Sequence, residues 1–242
     1  MPEELPGVET SFHVVIVGHV DHGKSTLIGR LLYDTNSLST DRLEEIKRIS
    51  ADMGKEMEFA YVMDHLQEER ERNITIDIAY TFFKTPKRRY VIIDAPGHKE
   101  FLKNMISGSS QAHGALLLVD ASRGVEEQTR RHSFLLSLLG VKQIAVLVNK
   151  MDLLEWSREE FGKIRDSLLP VLERLEIFPE YIVPISAKLG ANVADSCEEL
   201  SWFDGPTVLE TLDGFRAAQT QEKSLRFPIQ DIYDANGSAL AV

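Results

Sequence analysis

Short apolar runs alternate along the chain with longer stretches that have helical spacing. Five of these runs, at residues 13–18, 90–97, 114–121, 143–152 and 181–186, have the continuous apolar character of strands buried on both faces. The stretches between most of them repeat apolar positions every three or four residues, as amphipathic helices do. This alternation predicts a three-layer α/β fold, in which helices cover both faces of a mostly parallel sheet.

The segment IDIAYTFFKTPKRRYVIID, residues 76–94, departs from this alternation. Two β-rich runs are joined there by the turn-forming letters KTPKRR. A hairpin is therefore predicted, which adds one antiparallel strand at the edge of the parallel sheet.

The composition along the chain predicts four regions. Residues 1–11 form a flexible N-terminal tail, residues 12–215 form the α/β domain, and residues 216–224 have linker composition. Residues 225–242 show a strand, an Asn-Gly turn and a further strand. We interpret this last region as the truncated start of a second, β-barrel domain.

Charge and cysteine content exclude several classes of protein. The 242 residues carry a formal net charge of −11, which argues against a surface that coats nucleic acid, although a local basic patch could still bind RNA. Cys197 is the only cysteine, so an internal disulfide or a cysteine-cluster metal site is impossible. The acidic N-terminus is not a secretory signal, and the sequence has no apolar run of membrane-spanning length. These features predict a cytoplasmic protein.

The letters GHVDHGKS, which follow the first apolar run, match a phosphate-binding loop. Gly18 and Gly23 let backbone N–H groups turn towards phosphate oxygens, and the helix that follows adds its positive N-terminal end. Lys24 supplies charge to the β- and γ-phosphates of a nucleotide, and the Ser25 hydroxyl is a ligand for Mg²⁺. An ordinary strand–turn–helix corner is the alternative, but it does not require this spacing.

Two further residues complete a predicted Mg²⁺ site. Asp94 ends a strand at the carboxyl edge of the sheet, where a carboxylate can hold Mg²⁺ through water. Gly97 follows it and can sense the γ-phosphate through its N–H group, and Thr75 can complete the metal shell while that phosphate is present. Taken alone, Asp94 could be a helix cap and Thr75 a strand residue. The phosphate-binding loop upstream favours the metal-binding interpretation of both.

The letters NKMD, Asn149 to Asp152, predict the base that the site binds. The Asp152 carboxylate can accept hydrogen bonds from N1–H and the exocyclic amine of guanine, whereas adenine offers no such pair of donors. The letters SAK, Ser186 to Lys188, follow the next strand and supply a second wall for the base. The order and spacing of these motifs predict guanine, and therefore GTP and GDP with Mg²⁺.

The five motifs GHVDHGKST, ERNITIDIAY, DAPGHKEFLKNMISG, NKMD and SAK occur in the order found in the translation-factor class of GTPases, the elongation factor Tu relatives. The chain resembles this class over nearly its whole length. The resemblance implies a P-loop GTPase domain that switches between GTP and GDP forms. The letters RFPIQDIY resemble the entry of this class into its β-barrel domain.

The resemblance also implies roles for individual residues. His98 matches the catalytic histidine that positions the attacking water, and Lys24 and Thr75 assist it at the γ-phosphate. Val20 and Ile74 match an apolar pair that gates His98. Asp21 matches a position that can coordinate a monovalent cation, and Asn73 stands where the class has glycine. The implied ligand sets are Gly18, His19, Val20, Asp21, His22, Gly23, Lys24, Ser25, Thr26 and Gly97 for phosphate; Asn149, Lys150, Asp152, Ser186, Ala187 and Lys188 for guanine; and Ser25, Thr75 and Asp94 for metal.

Two members of the class compete as the nearer likeness. The letters QTRRHSF and LSWFDGPTVLETLD are similar to the large GTPase subunit of bacterial sulfate adenylyltransferase. That subunit couples GTP hydrolysis to the formation of adenylyl sulfate from ATP and sulfate, with a small adenylyltransferase catalytic subunit as its partner. The letters VDHGK and FPIQDIY favour a translation elongation factor, which delivers aminoacyl-tRNA to the ribosome. On balance the sequence favours the sulfate-activating GTPase, with the elongation factor as the alternative.

Overall fold

The computed structural model describes residues 11–38, 44, 59, 79–94, 112–216, 232–235 and 238–241. Within these residues the chain forms eight strands: β1 (Phe12–Val17), β2 (Ala79–Lys84), β3 (Arg89–Asp94), β4 (Gly114–Asp120), β5 (Ile144–Asn149), β6 (Tyr181–Pro184), β7 (Ile232–Ala235) and β8 (Ser238–Ala241). The α-helices among them are α1 (Lys24–Asp34), α2 (Glu127–Leu138), α3 (Arg158–Glu173) and α4 (Val208–Gly214). Short 3₁₀ turns lie at Val20–His22, Met151–Leu154 and Glu198–Leu200.

Six of the strands form one sheet in the order β2-β3-β1-β4-β5-β6. The pairings of β3 with β1, β1 with β4, β4 with β5 and β5 with β6 are parallel. Strand β2 lies at the edge and pairs with β3 in the antiparallel direction. The predicted α/β sheet with one antiparallel edge strand is therefore confirmed.

The end of the chain forms the predicted second strand pair. Strands β7 and β8 pair with each other in an antiparallel, two-stranded sheet, with Ala235 opposite Ser238. The Asn-Gly letters between these strands lie outside the described residues, so the turn itself stays a prediction. The assignment of this hairpin to a β-barrel domain stays a prediction, as do the tail at 1–11 and the linker at 216–224. Among the helices described here, none has the length and apolar character that crossing a membrane requires.

The sheet separates two apolar cores because its central strands are buried on both faces. In β1, Val14 and Ile16 point into one core, whereas Val15 and Val17 point into the other. Helix α1 covers the first face with Leu27, Ile28, Leu31 and Leu32. Each fully buried side chain of this size stabilises the fold by roughly 1.5–3 kcal/mol. The alternating faces fix the register of the strands, and so fix which residues stand at each strand's end.

Hydrogen bonds join the hairpin of β2 and β3 to helix α4. The Thr85 hydroxyl donates to the Asp213 carboxylate at 2.9 Å, and the Tyr90 hydroxyl donates to the same oxygen. Burial, together with the Asp213 carboxylate, raises the pKa of Tyr90 above its ordinary value. Because Asp213 lies in α4, these contacts tie the edge of the sheet to the end of the domain.

His13 and His113 meet where the parallel strands β1 and β4 begin. The backbone N–H of His13 donates to Nδ1 of His113 at 2.9 Å, so this ring nitrogen must be unprotonated. Burial lowers the pKa of both rings, and His13 and Arg88 lower that of His113 further. The folded protein therefore favours the neutral form of both histidines.

This arrangement predicts that acid destabilises the fold. Because the folded-state pKa values lie below the ordinary value of about 6.5, the unfolded chain binds more protons as the pH falls through that value. The free energy of unfolding should drop between about pH 7.5 and about pH 5.5. His113→Asn keeps a side-chain acceptor for the His13 N–H and cannot titrate. Urea unfolding across this range should give a smaller drop for the variant; an unchanged drop would contradict the assignment.

Candidate nucleotide-binding site

The predicted phosphate-binding loop leaves β1 at Gly18 and enters α1, whose first two residues are Lys24 and Ser25. The N–H of His22 donates to the carbonyl of His19 at 3.1 Å, which closes the loop into a 3₁₀ turn. Gly23 then takes the left-handed conformation, with φ of 89°, and α1 begins at the next residue. The 11 residues of α1 give the loop a helix N-terminus, where free N–H groups favour an anion.

Lys24 is buried inside this loop. Its Nζ donates to the carbonyls of Gly18 at 2.7 Å and His19 at 3.2 Å. Burial lowers the pKa of Lys24, and the nearby carboxylates of Asp94 and Asp21 oppose that shift. Burial has removed hydrating water from the Lys24 ammonium group, which costs free energy. An anionic ligand that pairs with this group would offset that cost.

Asn149 connects the phosphate loop to the loop after β6. Its amide nitrogen donates to the carbonyl of His22 at 2.8 Å, and its amide oxygen accepts from the N–H of Ala187 at 2.9 Å. A Cβ added to Gly23 would lie 2.5 Å from that amide nitrogen. Glycine is therefore required at residue 23 both by its backbone conformation and by the closeness of Asn149.

Asp152, which the sequence predicts to bind the base, carries an unpaired carboxylate oxygen within the described part of the chain. Its Oδ1 atom is buried, and none of the described residues gives it a hydrogen bond. A buried acceptor of this kind is costly unless a ligand supplies a donor. Ser186 and Ala187 are buried at the end of β6, and the N–H of Met151 donates to Ile185 at 3.1 Å, which joins this loop to that of Asp152. These residues fit guanine.

Lys150 is oriented by a carboxylate that ends the neighbouring strand. Its Nζ lies 2.7 Å from Oδ2 of Asp120, and the backbone of Lys150 is left-handed with φ of 68°. Burial alone would raise the pKa of Asp120, but hydrogen bonds from Lys150 and Ser122 hold it below its ordinary value. The Asp120 carboxylate is therefore a fixed anion that sets the position of Lys150.

The residues near Lys24 also fit a magnesium ion. Asp94 is buried at the end of β3, directly beside Ile16 of β1, so that its carboxylate stands at the edge where the phosphate loop begins. Ser25 is half-buried in the first turn of α1. A hydroxyl and a carboxylate are the hard oxygen ligands that Mg²⁺ prefers, with water and phosphate oxygens completing its shell. Among the described residues no cluster of three or more His, Cys, Asp or Glu offers a cage for another metal.

A known protein family matches most of the chain. The profile of the elongation factor Tu GTP binding domain matches residues 9–217. The chain belongs to this family. The phosphate loop, the Asn149 loop and the loop of Ser186 are thus parts of a GTP-binding domain, and the bound nucleotide is GTP or GDP with Mg²⁺.

Elongation factors are prominent among the relatives of this GTP-binding domain. The chain is 45% identical over 238 residues to elongation factor 1-alpha of Pyrococcus furiosus, a match that covers 98% of the chain and 54% of the relative. Elongation factor 1-alpha of Thermococcus kodakarensis is also 45% identical, with the same coverage. The chain spans about half the length of the curated relatives it matches.

Solved structures share the fold. Sup35 complexed with GMPPNP superposes with a TM-score of 0.60 at 30% identity, covering 86% of this chain and 46% of that chain. The bacterial selenocysteine-specific elongation factor EF-Sec superposes with a TM-score of 0.57 at 29% identity, covering 94% of this chain and 33% of that chain.

The GTP-binding domain brings most of the predicted residues to one edge of the sheet. Asp21 is exposed, and the Arg123 guanidinium lies 3.4 Å from its carboxylate. The guanidinium is thus paired with the carboxylate to which the resemblance assigns a monovalent cation. Lys188 is exposed beyond the buried Ala187. Three predicted residues, Thr75, Gly97 and His98, lie outside the described residues, as do Asn73 and Ile74. The backbone of Val20 is in the 3₁₀ turn of the loop.

Three residues that contact the site were not predicted from the sequence; they lie at the end of β4 and in the segment after it: Asp120, Arg123 and Glu126. Asp120 had a usable signal, because it is a carboxylate at the end of a buried strand, as Asp94 is. The other two follow that strand in a loop, and their spacing carried no signal.

Gly23→Ala tests the close approach of the phosphate loop to Asn149. The added methyl group strains the left-handed backbone and displaces the Asn149 amide. We expect GDP affinity to fall about tenfold or more and the free energy of unfolding to fall by about 1–3 kcal/mol. Calorimetric titration and urea unfolding measure the two effects.

Gly162→Ala, in α3, is the matched control, because nothing lies within 4 Å of its added Cβ. It should leave GDP affinity unchanged and stability within about 1 kcal/mol of the parent. Equal GDP affinity in Gly23→Ala and the parent would contradict the described loop geometry.

Proposed function

We propose that this chain is the GTP-binding and GTP-hydrolysing switch domain of a translation elongation factor that acts with aminoacyl-tRNA on the ribosome. The observation that carries the proposal is the 45% identity to elongation factor 1-alpha, which extends over 98% of the chain. The likeness to a selenocysteine-specific elongation factor supports the same class of function.

The guanine nucleotide is selected and held by the chain's own residues in this proposal. The orphaned Oδ1 of Asp152 accepts from the guanine edge, while Asn149 keeps the base-binding and phosphate-binding loops together. Lys24 moves its charge from two loop carbonyls towards the β- and γ-phosphates. Mg²⁺, held by Ser25 and Asp94, would neutralise charge that develops on the transferred phosphate.

The residues to which we assign hydrolysis are identified by their sequence motifs. His98 holds a water in line with the γ-phosphate, a positioning task that dominates phosphoryl transfer. Thr75 and Gly97 bind the γ-phosphate side of the site and are released when that phosphate leaves, which is the switch. Partners then sense the two states through these segments.

Sulfate activation is the second candidate, and the letters QTRRHSF favour it. These residues, 128–134, lie in α2, where Thr129, His132 and Ser133 are buried and the Ser133 hydroxyl donates to the Thr129 carbonyl at 2.8 Å. These three buried residues pack inside the domain, so their likeness to the sulfate-activating subunit is weak support for a shared partner. None of the relatives described above is named as a sulfate adenylyltransferase, so the elongation factor is the better-supported proposal.

The test measures GTP turnover by the purified protein. Programmed ribosomes with aminoacyl-tRNA should accelerate turnover about tenfold or more, whereas sulfate with ATP should not change it. His98→Ala should bind GDP as the parent does, and ribosomes should no longer accelerate its GTP turnover by about tenfold. Turnover that ribosomes do not affect, but that sulfate, ATP and a co-purifying adenylyltransferase subunit stimulate, would contradict the proposal and favour the second candidate.

A further inference from the structure

Arg30 in helix α1 makes a set of contacts that the nucleotide site described above does not use. Its Nε donates to both carboxylate oxygens of Asp34, one helical turn further along, at 2.9 Å and 2.8 Å. The centre of its guanidinium lies 5.6 Å from the ring centroid of Tyr33 and 5.2 Å from that of Phe59. The Arg30 side chain is only 21% exposed, so the ion pair and the aromatic rings hold its guanidinium in place.

The same guanidinium lies against Gly190, in the loop that follows β6. A Cβ added to Gly190 would collide with Cζ, Nη1 and Nη2 of Arg30, and Cζ would be the nearest of the three atoms. The glycine therefore faces the plane of the guanidinium and not its edge. A side chain at residue 190 would displace Arg30, and the left-handed backbone there, with φ of 79°, also favours glycine.

Gly190 closes the loop that is predicted to form a wall for guanine. Its N–H donates to the carbonyl of Ser186 at 2.8 Å, and the N–H of Ser186 donates to the carbonyl of Ala191 at 3.1 Å. These two bonds make a tight turn. The turn carries Ser186 and the buried Ala187 at one end, and at the other end it rests on Arg30.

We propose that Arg30 is a positioning residue for guanine recognition, which supports the base-binding loop at Gly190 from the helix that begins in the phosphate loop. The inference deepens the proposed guanine-nucleotide site and rests on it. Because Lys24 begins the same helix, the contact of Arg30 with Gly190 ties the position of the base-binding loop to that of the phosphate loop. A loop that is already held in place needs less ordering when the base binds, which favours affinity.

A role confined to stability is the simpler alternative for Arg30, because the same residue packs on Phe59, which is buried in the core beside α1. The two roles differ in what they predict for nucleotide selectivity. ADP can use the phosphate loop but offers the wrong base, whereas GDP also uses the base-binding loop. Loss of a positioning contact should therefore lower the affinity for GDP and spare that for ADP. A general loss of stability should act on both nucleotides alike.

Arg30→Gln removes the guanidinium and keeps a polar side chain. The affinity for GDP should fall about fivefold to tenfold and that for ADP by less than about twofold, so that the preference for GDP narrows. Calorimetric titration with Mg²⁺ present measures both affinities. Arg131→Gln is the matched control, because Arg131 pairs with Glu127 at 3.3 Å across one turn of α2. This variant should keep the parental affinities for both nucleotides.

Gly190→Ala disturbs the same contact from the loop side. The added methyl group displaces the guanidinium, so the affinity for GDP should again fall about fivefold or more. Gly140→Ala is the matched control, because Gly140 is also left-handed, with φ of 67°, but nothing lies within 4 Å of its added Cβ. It should leave GDP affinity unchanged. In an Arg30→Ala background the collision is relieved, so Gly190→Ala should then lower GDP affinity by a factor about threefold smaller than in the parent.

Three results would overturn the positioning role. They are an Arg30→Gln variant that keeps the parental preference for GDP over ADP, an equal loss of affinity for both nucleotides, and effects of Gly190→Ala and Arg30→Ala that simply add. Should the Arg30 variants fail to fold, Gly190→Ala decides with the arginine intact, and an unchanged preference for GDP there would overturn the role. A parent that does not prefer GDP would instead overturn the nucleotide site itself, and the inference with it.

Discussion

The nucleotide site depends on the pair of hydrogen bonds made by the side chain of Asn149. One bond reaches the His22 carbonyl in the phosphate loop, and the other comes from the Ala187 N–H in the loop after β6. Three segments that are far apart in sequence are thereby held at one edge of the sheet. Only glycine fits at residue 23, because the Asn149 amide occupies the space that a Cβ would need. The loops predicted to bind phosphate and base are for this reason parts of a single structure.

Parallel strands explain why the charged groups of the site converge. Asp94, Asp120 and Asn149 each end a strand; the parallel registers place Asp120 beside Asn149, and Asp94 beside Ile16 of β1, just before the phosphate loop. The three residues then take different partners: Asp94 acts on Lys24, Asp120 on Lys150, and Asn149 on the neighbouring loops. The buried Lys24 ammonium, with its pKa lowered by desolvation, marks the part of this edge where an anionic ligand restores the charge balance.

Much of this arrangement could be predicted from the sequence because it depends on local patterns. Continuous apolar runs identified the central strands, and the hairpin letters identified the antiparallel edge strand β2. The motif spacing identified Lys24, Asn149 and Asp152, which the fold brings together. Contacts set by tertiary packing could not be predicted, since nothing in the letters around Glu126 places it beside His22, 104 residues earlier. The nearer likeness to a sulfate-activating GTPase rests on the letters QTRRHSF in α2, where three residues are buried, and on LSWFDGPTVLETLD; the relatives favour an elongation factor instead.

The central claim is that this edge of the sheet recognises guanine, and the most direct test compares GDP with ADP on the unmodified chain. Calorimetric titration with Mg²⁺ present should give a GDP affinity at least about a hundredfold above that for ADP, because adenine offers no donor pair to the buried Asp152 oxygen. Comparable affinities for the two nucleotides would contradict the account, since the orphaned carboxylate oxygen would then have no role in choosing the base.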